Sequence, residues 1–310
     1  MFALQYSELG PPDVLTVGEA EEPHAGPGEI RIAVRATGVT PADWKLRSGA
    51  IRSEFRPDLP LPHIPGMDAA GVVDEIGEGV TGVAVGDAVF GVVDLAKLGG
   101  AAAEFAVLAA WAAKPDALSW EEAGGAAGNV ETATRALDLL GVTAGTTLLV
   151  EGAAGGVGTV TVQLAAARGA TVIGTAREAN HHFLTGLGVT PTTYGPGLAE
   201  RVAALAPQGV DAVLDVAGSG SLPDLVAIAG EARRVVSVAD MDAREHGVHL
   251  TWAGSGDAPG LDGLAVAADL AAEGRFTVPL GGVFPLTDGA KAHELSATGH
   301  VRGKIVLTVP

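Results

Sequence analysis

The residues with the clearest chemical signal are four glycines at the junction of an apolar segment, 147–151, and a helical pattern, 156–168. They are Gly152, Gly155, Gly156 and Gly158. Gly155 and Gly156 would let the backbone approach a pyrophosphate, for which the helix N-terminus supplies amide donors and a partial positive charge. Gly158 would let the helix lie close to the strand. The run predicts a dinucleotide site, with a purely structural glycine turn as the alternative.

A second strand pattern, 171–175, is followed by Ala176 and Arg177. Proteins that prefer NAD place an acidic residue here against the ribose 2′-hydroxyl, whereas an arginine can pair with a 2′-phosphate. The sequence therefore predicts NADPH rather than NADH, bound through Thr175 and Arg177. A solvated surface arginine is the alternative, and the adjacent Glu178 places an opposite charge beside it.

Metal ligands are scarce in this chain. Cysteine is absent from its 310 residues, which leaves only nitrogen and oxygen ligands. His246 and His249 lack a third ligand at useful spacing, and the adjacent His181 and His182 point in different directions on a predicted helix. The sequence predicts no metal site.

Charge and hydropathy exclude several classes of partner. The chain has 19 basic and 37 acidic side chains, a formal charge of 19 − 37 = −18, which argues against nucleic acid and anionic membranes. No apolar run is long enough to span a bilayer, and residues 1–9 lack a secretory pattern. We therefore expect a cytoplasmic protein that acts on a small molecule.

The elements that must position these residues are of two kinds. From residue 1 to about 108, apolar residues recur at every second position, which is typical of strands. From about residue 119, strand and helix patterns alternate, which predicts a parallel sheet with helices on both faces. The predicted strands are 147–151, 171–175, 210–215 and 233–238, and the predicted helices are 156–168 and one near His181. The last stretch contains helices over 261–274 and 291–297 and a strand over 304–309.

Several runs along the chain carry motifs of one enzyme family. They are residues 65–73, 85–91, 153–158 with 163–165, and 303–307. Together they resemble the zinc-independent branch of the medium-chain dehydrogenase/reductase superfamily, in particular quinone oxidoreductases. The resemblance implies an α/β fold in which a GroES-like β domain is interrupted by a Rossmann domain with a doubly wound parallel sheet. The expected bounds are 1–118 and 253–310 for the GroES-like domain and 119–252 for the Rossmann domain.

The resemblance also implies a function. It places NADPH in a cleft between the domains, with a quinone or an α,β-unsaturated carbonyl as hydride acceptor, and a homodimer as the assembly. Zinc-dependent relatives have a cysteine near Thr40 and a histidine at Met67, neither of which this chain has. Interconversion of a carbonyl and an alcohol usually depends on a Lewis acid that polarises the oxygen, and this chain lacks those two ligands for one. Reduction of an activated alkene needs mainly a well-placed hydride donor. An enoyl-thioester reductase and a non-catalytic NADPH-binding sensor or structural protein are the alternatives.

The resemblance assigns candidate site residues as well. Residues 37–49 correspond to the family stretch that passes the nicotinamide, and they contain the catalytic candidates Thr40, Asp43 and Lys45, with Trp44 as a pocket residue. Asp43 is alternatively a first-turn cap of a short helix. The predicted cofactor contacts are Thr132, Gly155, Gly156, Val157, Thr175, Arg177, Tyr194, Ala217, Gly218, Ser237, Val238 and Ala239. No side chain stands out as a proton donor, so we expect solvent to protonate the intermediate that hydride transfer leaves.

Overall fold

The computed structural model describes residues 1–51 and 57–310, and the chain divides into two compact units. One unit comprises Met1–Gly128 and Leu264–Pro310, and the other comprises Asn129–Gly263. The strands are β1 (Phe2–Gln5), β2 (Thr16–Glu19), β3 (Ile30–Val39), β4 (Asp68–Ile76), β5 (Ala88–Val92), β6 (Phe105–Leu108), β7 (Ala110–Ala113), β8 (Thr147–Glu151), β9 (Thr171–Thr175), β10 (Thr190–Thr192), β11 (Ala212–Asp215), β12 (Val235–Ser237), β13 (His249–Leu250), β14 (Leu280–Pro285) and β15 (Lys304–Thr308). The helices are α1 (Pro41–Ser48), α2 (Trp120–Gly124), α3 (Ala127–Leu139), α4 (Gly156–Ala167), α5 (His181–Gly186), α6 (Leu198–Leu205), α7 (Leu222–Ala229), α8 (Gly263–Ala272) and α9 (Gly289–Ala297).

The first unit is built on a sheet in the order β14-β15-β3-β4-β5-β7, with β6 also paired to β3. All of its pairs are antiparallel except β14 with β15. Alternation along β3 buries Ile30, Ile32 and Val34, each at most 2% exposed. Burial of each such side chain contributes roughly 1.5–3 kcal/mol to the stability of the fold. These three side chains belong to the core of the first unit. The period-two pattern therefore predicted its buried face correctly.

The short helix α2 packs with the first unit rather than with the parallel sheet. A Cβ atom placed on Gly124 would lie 2.6 Å from the carbonyl oxygen of Ala36 on β3. Only a glycine allows the helix backbone to come this close to the strand. The division between the units accordingly falls after Gly128, ten residues beyond residue 118.

The second unit contains a six-stranded, wholly parallel sheet in the order β10-β9-β8-β11-β12-β13. The strand order reverses between β8 and β11, because β9 and β10 lie on one side of β8 and the later strands on the other. In doubly wound sheets, ligands bind outside the carboxyl ends of the strands at such a reversal. The predicted α/β fold with a parallel sheet is confirmed.

Within residues 1–51 and 57–310, none of the helices combines the length and the apolar character that a bilayer crossing requires.

A buried histidine lies in the first unit, where α9 packs against α1. His293 is 1% exposed, and burial together with the charge of Arg47 lowers its pKa to about 3. Arg47 is buried as well, and its Nη1 donates to the carbonyl oxygen of Gly10 at 2.6 Å. Protonation of His293 would therefore add a second cation to this interior.

We predict that His293 makes the protein acid-sensitive. Its pKa is about 3 in the folded state, against about 6.5 for an unperturbed histidine. The unfolded state therefore binds more protons below pH 6.5, so stability present above pH 6.5 is lost as the pH falls toward 3. The loss reaches at most about 4–5 kcal/mol.

The measurement is the free energy of unfolding by urea between pH 4 and pH 8. His293→Gln should flatten the pH dependence, and His300→Gln, at an exposed position of the same unit, should not. An unchanged slope in His293→Gln would contradict the prediction.

Candidate active site

The glycine turn lies between β8 and α4 in the second unit and is attached to the end of β9. The amide of Gly152, at φ +84°, donates to the Thr175 hydroxyl at 3.1 Å, and the amide of Ala153 donates to the Thr175 carbonyl at 3.1 Å. Thr175 is fully buried. The predicted cofactor residue Thr175 therefore holds the turn in place from the neighbouring strand.

The helix α4 approaches the turn as closely as its backbone allows. A Cβ atom on Gly158 would lie 2.2 Å from the carbonyl oxygen of Gly152. Gly155 is the N-cap and has no side chain to occupy the first helical amides, including those of Gly156 and Val157. Those amides are free to bind an anion, since the first turn of a helix leaves its N–H groups without partners. The turn thus fits a pyrophosphate.

Two buried carboxylates, which the sequence analysis did not single out, lie side by side at the reversal of the strand order. Glu151 ends β8, Asp215 ends β11, and the two are direct partners across the strands. Asp215 Oδ1 accepts from the amides of Ala217 and Gly218, both at 2.9 Å, and its Oδ2 accepts from the Ser237 hydroxyl at 2.7 Å. Asp215 therefore brings three of the predicted cofactor residues together.

Glu151 binds the far end of the loop that follows β11, residues 217–221. Its Oε1 accepts from the Ser219 hydroxyl at 3.2 Å, and its Oε2 accepts from the Ser221 hydroxyl. Burial raises the pKa of Glu151 above its usual value, and the neighbouring Asp215 adds to the rise, although the serine hydrogen bonds oppose it. Ionisation of Glu151 is therefore less favourable here than in water.

The loops after β11 and β12 touch each other. Gly218 has φ +59°, and a Cβ atom there would lie 2.7 Å from the carbonyl oxygen of Ala239. The Ser237 hydroxyl accepts from the amide of Ala239 at 3.2 Å and so shapes the turn that contains Val238. The predicted residues at these two strand ends therefore form one cluster.

Arg177 and Tyr194 follow the neighbouring parallel strands β9 and β10. Arg177 is exposed, and in the described part of the chain it has no hydrogen bond or ion pair. The Tyr194 side chain is 50% exposed. Both are therefore accessible to a ligand at the carboxyl edge of the sheet.

Thr132 lies on α3 beside a buried ion pair. Its hydroxyl donates to Glu131 Oε2 at 3.2 Å, and Glu131 Oε1 pairs with Arg135 Nε at 2.8 Å, with both charged side chains 3% exposed. Arg135 also donates to the Thr251 hydroxyl, which in turn donates to Asp257. This network connects α3 to the segment after β13.

The catalytic candidates Thr40 and Asp43 bind each other in the first unit. Asp43 Oδ2 accepts from the amide of Thr40 at 2.6 Å and from its hydroxyl at 2.9 Å. Asp43 Oδ1 accepts from the amide of Gly66 at 3.0 Å, and the side chain is 2% exposed. These contacts fit the capping interpretation of Asp43. The single hydrogen of the Thr40 hydroxyl is already donated, so this group can accept a hydrogen bond but not give one.

The other two residues of this segment form a cation–π contact. Lys45 Nζ lies 5.9 Å from the centre of the Trp44 ring. The Trp44 indole N–H is buried and has no hydrogen-bond partner in the part of the chain that the structure describes. It is therefore a donor that a bound molecule could use.

Comparisons with known proteins identify the family. Two family models match, the alcohol dehydrogenase GroES-like domain over residues 26–116 and the zinc-binding dehydrogenase over residues 187–307. An alcohol dehydrogenase superfamily protein from Novosphingobium aromaticivorans superposes with a TM-score of 0.86 at 30% identity, with 100% of both chains covered. The chain belongs to the medium-chain dehydrogenase/reductase superfamily. The resemblance read from the sequence motifs is confirmed.

Two curated relatives show what this superfamily member is similar to. Quinone oxidoreductase of Sus scrofa is 29% identical over 332 residues, which covers 99% of this chain and 97% of the relative. The 2-methylene-furan-3-one reductase of Solanum lycopersicum is 36% identical over 174 residues, which covers 53% of this chain and 44% of the reductase. The chain thus matches less than half of the tomato protein. The superfamily consists of pyridine-nucleotide dehydrogenases, which agrees with the glycine turn.

The zinc that one of these family models implies does not fit the residues of this superfamily member. The chain has no cysteine, and Met67 stands where zinc-dependent relatives have a histidine. Asp68 is fully buried, accepts from the amide of Gly128 at 2.9 Å and lies 3.9 Å from Lys304 Nζ. Across residues 1–51 and 57–310, no three potential ligands come together.

We predict that Glu131→Ala strongly destabilises the protein, because it leaves the Arg135 charge buried without its partner. Removing one member of a buried pair costs about 3–5 kcal/mol. Urea denaturation measures the change. Asp138→Ala, which breaks the exposed pair between Asp138 and Arg168 at the end of the same helix, should cost no more than about 1 kcal/mol. Equal losses in the two variants would contradict the prediction.

Proposed function

We propose that the chain is an NADPH-dependent, zinc-independent oxidoreductase that transfers a hydride to a quinone or an α,β-unsaturated carbonyl. The observation that carries the proposal is the glycine turn, which Thr175 holds from the neighbouring strand. Arg177 follows Thr175 closely in the chain and is exposed, with no hydrogen bond or ion pair to the described residues. The names of two relatives, a quinone oxidoreductase and a 2-methylene-furan-3-one reductase, support an electron-poor acceptor. We also propose that the protein is a cytoplasmic homodimer, which is what the family leads one to expect.

Different residues around the turn bind different parts of the dinucleotide. The amides of Gly156 and Val157 hold the pyrophosphate, and Arg177 pairs with the 2′-phosphate. Asp215 fixes the amides of Ala217 and Gly218 and the hydroxyl of Ser237, so the loops that meet the nicotinamide half are preorganised. When bound, reduced nicotinamide supplies the hydride.

The substrate segment of the first unit contributes hydrogen bonds rather than a metal. Asp43 holds Thr40, whose hydroxyl oxygen can still accept a hydrogen bond. The Trp44 N–H, which has no partner among the described residues, is a donor for a carbonyl oxygen. Reduction of an activated alkene or quinone requires a well-placed hydride donor and stabilisation of the developing oxyanion. Solvent supplies the proton that completes the reduction.

We predict that Arg177→Ala weakens NADPH binding about tenfold to a hundredfold and leaves NADH binding nearly unchanged. The physical reason is that a charge-assisted contact to a phosphate contributes on the order of 1.5–3 kcal/mol. Titration of each nucleotide by its fluorescence gives the two dissociation constants. Arg168→Ala removes the same charge from the C-cap of α4 and is the matched control. If both cofactors lose affinity equally, Arg177 is only a surface charge.

The whole proposal is tested by cofactor oxidation with a panel of acceptors in the presence of a chelator. We expect turnover with quinones and enones, and little with simple alcohols or saturated ketones, because the chain supplies no Lewis acid. Turnover confined to enoyl thioesters would instead identify an enoyl-thioester reductase. Nucleotide binding without any turnover would identify a non-catalytic NADPH-binding protein.

A further inference from the structure

A single arginine holds the loop that follows β10. Arg201 Nη1 donates to the carbonyl oxygen of Pro196 at 2.8 Å. Its Nη2 lies at 2.9 Å, 3.3 Å and 3.2 Å from the carbonyl oxygens of Thr193, Tyr194 and Gly195. Four consecutive carbonyl groups therefore converge on one guanidinium.

The backbone of this loop is shaped for the guanidinium. Gly195 and Gly197 have φ values of +80° and +78°, which are left-handed conformations that glycine adopts without strain. A Cβ atom on Gly197 would lie 2.9 Å from Arg201 Nη1. Because four carbonyls point toward Arg201, the loop conformation is fixed, and the Tyr194 ring is left 50% exposed.

Arg201 has no acidic partner to explain its position. Within residues 1–51 and 57–310, no carboxylate forms an ion pair with it, and its Nε is buried without a hydrogen bond. The hydrogen bonds of its side chain run from the two Nη groups to the carbonyl oxygens of the loop. A lysine could not reproduce this arrangement, since its ammonium lacks the planar fork of donors.

The loop lies at the edge of the sheet where a nucleotide would bind. β10 pairs with β9 in parallel, and the amide of Ala176 donates to the carbonyl oxygen of Thr192 at 2.9 Å. Residues 193–197 and Arg177 therefore leave neighbouring strands on the same side. Parallel sheets of this order bind nucleotides outside their carboxyl ends.

We propose that Arg201 is a positioning residue for nucleotide binding, which holds the 193–197 loop so that the Tyr194 ring lies against the adenine base. The inference rests on the proposed function, because it requires a bound dinucleotide. Among the described residues, the Arg201 guanidinium donates hydrogen bonds only to this loop. Adenine is common to NADPH and NADH, so this contact, unlike that of Arg177, does not distinguish the two cofactors.

The test is a double-mutant cycle with Tyr194→Ala, Arg201→Met and the double variant, in which the dissociation constants of NADPH and NADH are measured by fluorescence titration. We expect each single variant to weaken both nucleotides by the same factor, roughly fivefold to a hundredfold, as for loss of a base-stacking contact. The double variant should bind no more weakly than Tyr194→Ala alone, since Arg201 acts through the tyrosine. In steady-state assays the change should appear in the KM for the cofactor.

Two further variants make the outcome decisive. Arg201→Lys keeps the charge and should still weaken both nucleotides, whereas Arg168→Gln removes a charge elsewhere in the unit and should weaken neither. Unchanged affinity in Tyr194→Ala, additive losses in the double variant, or loss of NADPH binding alone would overturn the inference. So would failure of both Arg201 variants to show a cooperative thermal transition, which would assign the residue to folding. A wild-type protein that binds neither nucleotide would instead refute the proposed function.

Discussion

The close contact between α4 and the end of β8 is the constraint on which the rest of the nucleotide site depends. Gly158 can lie against the carbonyl of Gly152 only because it has no side chain. This contact brings the uncapped start of the helix to the carboxyl edge of the sheet, where its amides carry partial positive charge. Thr175 then fixes the turn from β9, so the site is positioned by two strands and a helix rather than by a free loop.

Around this contact, charged side chains fix the loops that a dinucleotide would meet. Asp215 and Glu151 hold the two ends of residues 217–221, and Arg201 holds the loop after β10. Each of these side chains forms hydrogen bonds with backbone amides, hydroxyls or carbonyls of its own unit. Glu151 and Asp215 are buried, and burying a carboxylate is costly unless it is hydrogen-bonded, which makes the conformation of residues 217–221 specific. The exposed residues Arg177 and Tyr194 are left to face a ligand.

The sequence analysis succeeded where a pattern was long enough to have a period. β8 and β9 have the predicted bounds, 147–151 and 171–175, and α4 ends one residue before the predicted 168. β10 and β13 were missed because three and two residues show no alternation. The roles of Glu151, Asp215 and Arg201 were missed because they depend on neighbours from other strands, which spacing along the chain does not reveal. A buried acid at the end of an apolar strand was the one available signal for the two carboxylates.

We propose that a hydride reaches an electron-poor carbon at a site whose residues do not fit zinc. It is tested most directly by reducing a 2-alkenal with NADPH deuterated at C4 of the nicotinamide and locating the label in the product. The account predicts deuterium at the β-carbon of a saturated aldehyde. Deuterium on the carbinol carbon of an allylic alcohol would mean carbonyl reduction and would contradict it.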